Sequence, residues 1–275
     1  MLILTDFSEV ALNAAKYAAA LTHQLNTKKL FLYNSYEALA LPPTSFAPVS
    51  SGFIEAAEAS QDKITDLKNE LKNIMDRPIE IELRTDDKML IGATNTIIQQ
   101  QHIGLTVAGI TEKSSMEKIL IGSNTINLAE DCESPLLLVP PAATYQPIKK
   151  VVFACDLKQV SESTPIFAIK TFIHTIGAQL IILNVDHDGK YFDTETINEM
   201  TDLHYLWDNE QPEYHYTNNK DVAAGIMEFA HQQQAQLVIT IPKAYGFFES
   251  IFHRSMTKKL AFHTHLPLLL FKEGQ

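Results

Sequence analysis

Residues 1–8 read MLILTDFS, and residues 151–158 read VVFACDLK. Each is a short apolar run that ends in an aspartate, Asp6 or Asp156. A second pair of phrases repeats in the same order: SPLLLVP at 134–140 and LPLLLF at 266–271. Such self-similarity marks an internal duplication, which has to be recognised before any motif is weighed. The 275 residues then divide into two copies, 1–141 and 148–275, joined by a stretch that carries Pro140, Pro141 and Pro147. Each copy is about the size of one ordinary domain, roughly 100–150 residues.

Between these landmarks the pattern alternates. In the first copy, strands are expected at Leu2–Leu4, Leu30–Tyr33, Ile79–Leu83, Leu105–Ala108 and Leu136–Val139. Ser8 is placed to cap a helix running to about Leu25, because its hydroxyl can accept from free amides of the first turn. A loop with Pro42, Pro43, Pro48 and Gly52 precedes a helix from about Ile54 to Met75. Asp86 and Asp87 open a third helix, and a loop after Gly109 leads to a short helix over Ser123–Glu130. The second copy repeats the order, ending with a helix over Met256–Phe262 and a strand at Leu268–Phe271. Short strands that are apolar throughout, alternating with helices, indicate parallel sheets covered on both faces. The fold class is therefore α/β, with two tandem five-stranded parallel-sheet domains.

Composition narrows the partners. The formal net charge is −11, and the basic residues form no run beyond pairs such as Lys28-Lys29, so a nucleic-acid backbone is not an expected partner. The longest apolar runs are strand-sized, far short of the roughly 20 residues that cross a bilayer. The first residues lack a basic leader and a long apolar core, so no signal peptide is expected. The two cysteines, Cys132 and Cys155, fall in different copies and form no disulfide framework. A reduced, cytoplasmic setting fits these features. His263 and His265 follow an expected helix without a third ligand, so no metal centre is expected. Asp193, Glu195 and Glu199 form a solvated helix face. No nucleophile-elbow pattern or other catalytic constellation is present. The chain has no expected catalytic residue.

Residues 108–125, AGITEKSSMEKILIGSNT, carry the chemistry. A strand ends at Gly109, and Gly122-Ser123 opens a helix. Glycine lets a backbone approach closely, and a helix N-terminus offers free N–H groups and the positive end of a dipole. Ligands of open α/β sheets lie beyond the carboxyl ends of the strands. Asp6 and Gly109 both belong at such ends. Asp6 is placed to accept from ribose hydroxyls, or else to cap the first helix.

These residues resemble the universal stress protein family, whose ATP-binding members carry G-x2-G-x9-G-[ST] after the fourth strand. Here Gly109 and Gly122-Ser123 stand at the family spacing, and ILTDFSE at 3–9 resembles its first strand and turn. The resemblance covers nearly the whole chain. It implies two domains of the adenine nucleotide α-hydrolase-like type, with Thr5 and Asp6 against the adenosine and Asn34 near the base. It also implies Gly109, Gly122, Ser123 and Asn124 on the phosphate side. The ligand implied is ATP, with Mg, or AMP, and slow ATP hydrolysis is the most the chain would perform on it. The halves would pack as an intramolecular pseudo-dimer through the strands Leu136–Val139 and Leu268–Phe271, with a homo-dimer a further option. From the residues alone, Asn34 is simply a strand-end turn residue.

The departures leave a second function open. Glu112 replaces the family's second glycine, and two like unit charges 4 Å apart repel by about 4 kcal/mol at an effective dielectric of 20. In the second copy, TIPKAYGFFESIFHRSMT at 240–257 puts Ile241, Ala244 and Arg254 where glycines belong, while Asp156 and Ser255 persist. The sequence thus supports either a regulatory stress-response protein with a nucleotide in its first domain, or a ligand-free interaction module.

Overall fold

Strands with no polar face must lie between two layers of helices, and the computed structural model meets that requirement. It describes residues 1–36, 49–110, 112–115, 118–121, 123–186, 194–242 and 266–273. The first half runs β1 (Leu2–Leu4), α1 (Glu9–Leu21), β2 (Lys29–Ser35), α2 (Val49–Lys72), β3 (Glu80–Asp86), α3 (Leu90–Gln101) and β4 (Thr106–Gly109). It continues with β5 (Glu112–Ser115), β6 (Lys118–Ile121), α4 (Ser123–Asp131) and β7 (Leu136–Val139). The second half has β8 (Lys150–Ala154), α5 (Val160–Ser163), α6 (Ile166–Ile176), β9 (Gln179–Asp186) and α7 (Thr194–Trp207). It ends with β10 (Glu213–Asn218), α8 (Val222–Gln232), β11 (Leu237–Thr240) and β12 (Leu268–Leu270).

Among the described residues, ten strands form one sheet in the order β3-β2-β1-β4-β7-β12-β11-β8-β9-β10. Read from either end, the order repeats the same connectivity. Each half contributes five parallel strands, and the halves meet where β7 and β12 pair antiparallel, Leu137 opposite Leu269. The strands named in the sequence for this contact are the ones that pair. On one face the sheet buries Ala14, Ala18 and Leu21 of α1, Ile64 and Leu71 of α2, Ile169 and Ile173 of α6, and Trp207 of α7. On the other it buries Ile97 and Ile98 of α3, Leu128 of α4, and Ile226 and Phe229 of α8. Both layers run across the junction, so burial of apolar surface, the main favourable contribution to folding, is shared between the halves.

The connecting stretch is fastened to α1 and to the segment just beyond it. Asn13 Nδ2 donates to the carbonyls of Pro140 and Ala143 at 3.1 and 3.0 Å. The Tyr17 and Tyr145 rings meet edge to face, 5.4 Å between centres. Among the described residues no helix is long and apolar enough to cross a membrane.

Three local expectations need correction. Helix α2 begins at Val49, so Gly52 lies in its first turn and not in a loop. Asp86 ends β3 instead of opening α3, because the β2–β3 register continues to Ser35 opposite Asp86. The expected loop after Gly109 contains a hairpin, with Glu112 opposite Ile121; KILI at 118–121 is a β-prone run. Pro42, Pro43, Pro48, Gly122 and Asp193 lie outside the described residues, as does 243–265 with Ala244, Arg254, Ser255, both histidines and the expected helix Met256–Phe262.

Candidate functional site at the carboxyl edge of the first half

In a parallel sheet all strand ends of one kind share an edge. Leu2 stands opposite Thr106 and Ile3 opposite Val107, so continuing the register sets Thr5 level with Gly109. Helix α4 leads back to the start of β7, which runs parallel to β4. A crossover helix of that kind begins at the strands' carboxyl edge. Ser123 and Asn124, its first residues, are exposed.

The turn after β1 is built from side chain to backbone bonds. Thr5 is buried, and its Oγ1 accepts from the Phe7 amide at 3.0 Å. Asp6 Oδ1 accepts from the Ser8 amide at 2.9 Å. Ser8 Oγ accepts from the Ala11 amide at 3.3 Å and caps α1, as its position in the sequence implies. Capping is therefore the work of Ser8, and Asp6 shapes the turn before it. Phe7 closes that turn with φ at 63°, a left-handed conformation that non-glycine residues adopt at a cost. The result leaves Asp6 exposed at the sheet edge on a fixed turn.

Asn34 faces inward. Only 4% of it is exposed. Its Nδ2 donates to the Thr5 carbonyl at 2.7 Å, and its Oδ1 accepts from Ser60 Oγ of α2 at 2.7 Å. Gly109 has a packing role: a β-carbon there would meet Val10 of α1. Two strands away on β2, Tyr33 donates to Asp86 Oδ1 at 2.6 Å. Burial, and then this bond, hold the Tyr33 phenol above its ordinary pKa. The sequence reading did not single out Phe7, Ser60 or the Tyr33–Asp86 bond. Two of them depend on contacts between distant segments, and a phenylalanine at positive φ has no local signature.

With this geometry in view, the comparison with known proteins is direct. The universal stress protein family matches residues 1–140, half of the 275-residue chain. The chain belongs to the universal stress protein family. A universal stress protein from Archaeoglobus fulgidus DSM 4304 superimposes on this family member with a TM-score of 0.71. It covers 100% of this chain and 98% of its own, at 15% identity. A protein of unknown function from Pseudomonas aeruginosa PAO1 gives a TM-score of 0.59 at 13% identity, covering 99% of this chain and 92% of its own. At such identities the likeness is one of fold. No curated protein matches this universal stress protein by sequence.

The second half of this universal stress protein carries different groups at the equivalent edge. Thr240 is opposite Ala154, so Ile241 takes the register position that Gly109 holds in the first half. Where α1 is continuous, the following helix is broken into α5 and α6. Glu199 of α7 reaches the start of α5 and accepts from the amides of Gln159 and Val160 at 2.9 and 2.7 Å. Glu199 is thus a capping group and not a solvated face residue. Among the described residues, no group of three or more His, Cys, Asp or Glu side chains is arranged to hold a metal ion.

Proposed function

We propose that this universal stress protein is a regulatory stress-response protein whose first half, residues 1–141, takes an adenine nucleotide. The ligand is ATP with Mg, or AMP, and the second half, residues 148–275, is a scaffold. One observation carries the reading: Asp6 is exposed on a fixed turn, one residue past the level of Gly109, at the edge where α4 begins. A carboxylate there accepts from sugar hydroxyls, while the free amides at the start of α4, with Ser123 and Asn124, suit a phosphate. Glu112 in place of a glycine weighs toward ligands with fewer charges.

Calorimetric titration with ATP plus Mg, ADP and AMP tests this, on the native chain and on Asp6→Asn. Asparagine keeps the turn, since its side-chain oxygen also accepts from the amide two residues on, but it removes the charge. The expected result is measurable heat with at least one nucleotide and a loss of about tenfold in affinity in D6N, the size of one charged hydrogen bond. No heat from any of the three at high protein concentration would remove the nucleotide from the proposal.

A second reading, a ligand-free interaction module, is favoured by Gly109 and Asn34. The first is accounted for by contact with Val10 and the second by bonds to Thr5 and Ser60. Neither needs a ligand to explain it. The same titrations separate the two readings.

A further inference from the structure

The turn after β1 has a twin after β8. Thr5 N donates to the Tyr33 carbonyl at 3.0 Å, and Cys155 N donates to the Leu183 carbonyl at 2.9 Å. Asn34 Nδ2 reaches the Thr5 carbonyl at 2.7 Å, and Asn184 Nδ2 reaches the Cys155 carbonyl at 2.9 Å. Phe7 and Leu157 both have positive φ, 63° and 53°. Asp6 Oδ1 accepts from Ser8 N at 2.9 Å, and Asp156 Oδ1 from Lys158 N at 3.2 Å. Both asparagines are buried, at 4% and 6% exposure.

This repetition decides what the asparagine does. The second half has Ile241 where the first has Gly109, and Glu199 occupies the start of α5. The asparagine persists there with the same bond although the phosphate-side glycines do not. Its common element is therefore the carbonyl it grips. That carbonyl belongs to the peptide group leading into the aspartate, so holding it fixes the plane from which the aspartate departs. A left-handed residue follows immediately, and such a conformation persists only where its surroundings hold it.

We infer that Asn34 and Asn184 are positioning residues that clamp the turn presenting Asp6 and Asp156, and that Asn34 does not read a base. In the first half the clamp extends to α2 through Ser60, whose hydroxyl holds the free end of the Asn34 amide. A rearrangement at the tip of β1 is thereby coupled to that helix. The clamp itself is independent of any ligand; only its effect on affinity rests on the nucleotide reading above.

Residue-resolved amide exchange on the intact chain tests the clamp. In Asn34→Ala, exchange of the Phe7 and Ser8 amides should quicken about tenfold, the effect of one lost hydrogen bond, with Lys158 unchanged. Asn184→Ala should show the reverse pattern. Ser60→Ala, a milder change, should quicken Phe7 and Ser8 by a smaller factor, and it carries the test should N34A fail to fold. Unchanged exchange at Phe7 and Ser8 in the variants would overturn the clamp. If the native chain binds a nucleotide, N34A should weaken it together with the faster exchange. Weaker binding with unchanged exchange would instead mean that Asn34 touches the ligand, which also overturns the inference. A native chain that binds no nucleotide defeats the site reading alone, and the exchange rates still decide the clamp.

Discussion

A β-carbon on Gly109 would stand 2.8 Å from the carbonyl oxygen of Val10 and 2.8 Å from its Cγ1. Atoms do not approach that closely, and one of them is backbone. The tip of β4 and the start of α1 are in contact because residue 109 has no side chain. Gly109→Ala therefore forces α1 outward and should lower stability by about 1–3 kcal/mol, the usual cost of overpacking. Urea unfolding without nucleotide checks this. A variant as stable as the native chain would show that α1 shifts freely, and the glycine would then need another explanation.

The second half accommodates the opposite choice. Ile241 stands at the corresponding register position, and the helix that follows β8 is interrupted between Ser163 and Ile166. Glu199 supplies the cap that the first half obtains from Ser8. Glu199→Ala should cost about 1 kcal/mol, as loss of a capping side chain does. Glu199→Gln should recover part of it, since one amide oxygen still accepts. Chemical denaturation of the three proteins, followed through Trp207, gives the order; equal stability of all three would show that the two bonds at 2.9 and 2.7 Å are replaced by water.

The duplication was legible because an apolar run such as Leu136–Val139 has no place except inside a covered sheet, whatever its neighbours. The cap was legible for a related reason: Ser8 acts on Ala11, three residues away. Errors arose where a distant partner decided the outcome. Asp86 resembles a helix opener until β2 is set beside it and the pairing runs on to Ser35. Gly52 resembles a breaker, yet in the first turn of α2 the backbone amides lack helical partners in any case. Glu199 and Gln159 are 40 residues apart, so no spacing betrays their bond. At the candidate site, Asp6 and Gly109 were found by position along their strands. The part played by Asn34 was hidden because Thr5 and Ser60 approach it only in the folded chain.

Gln24 joins the halves away from the sheet. Its Nε2 donates to the carbonyls of Ile148 and Ile176 at 2.6 and 2.9 Å. Its Oε1 accepts from the Ile148 amide at 2.9 Å and the Tyr145 hydroxyl at 3.1 Å. An amide side chain has two donors and two principal acceptor sites, and all are in use. Gln24→Ala leaves partly buried backbone groups without this partner and should cost about 1–3 kcal/mol. Trp207, the chain's single tryptophan, lies in the second half. Its fluorescence and the far-ultraviolet dichroism of the whole chain should therefore shift together in Q24A. A shift in dichroism alone would show that residue 24 stabilises only its own half.

Acid should act on the second half through Glu210. The His174 Nε2 lies 2.6 Å from one carboxylate oxygen and Lys170 Nζ lies 3.1 Å from the other. The hydrogen bond with His174 does most to hold the Glu210 carboxyl below its ordinary pKa of 4.5; desolvation opposes it, and Lys170 adds to the lowering. A carboxyl with a lower pKa when folded binds its proton more readily in the unfolded chain. Its stabilisation is therefore complete above the unfolded value and disappears as pH falls through the folded one. The stability gap between the native chain and Glu210→Gln should shrink as the pH drops below about 4.5, the ordinary glutamate range. Urea midpoints for both proteins at several pH values measure it. A gap that stayed constant to pH 3 would mean that the carboxylate contributes nothing, and that packing over the Trp207 ring, 5.6 Å from Nζ, is what holds Lys170.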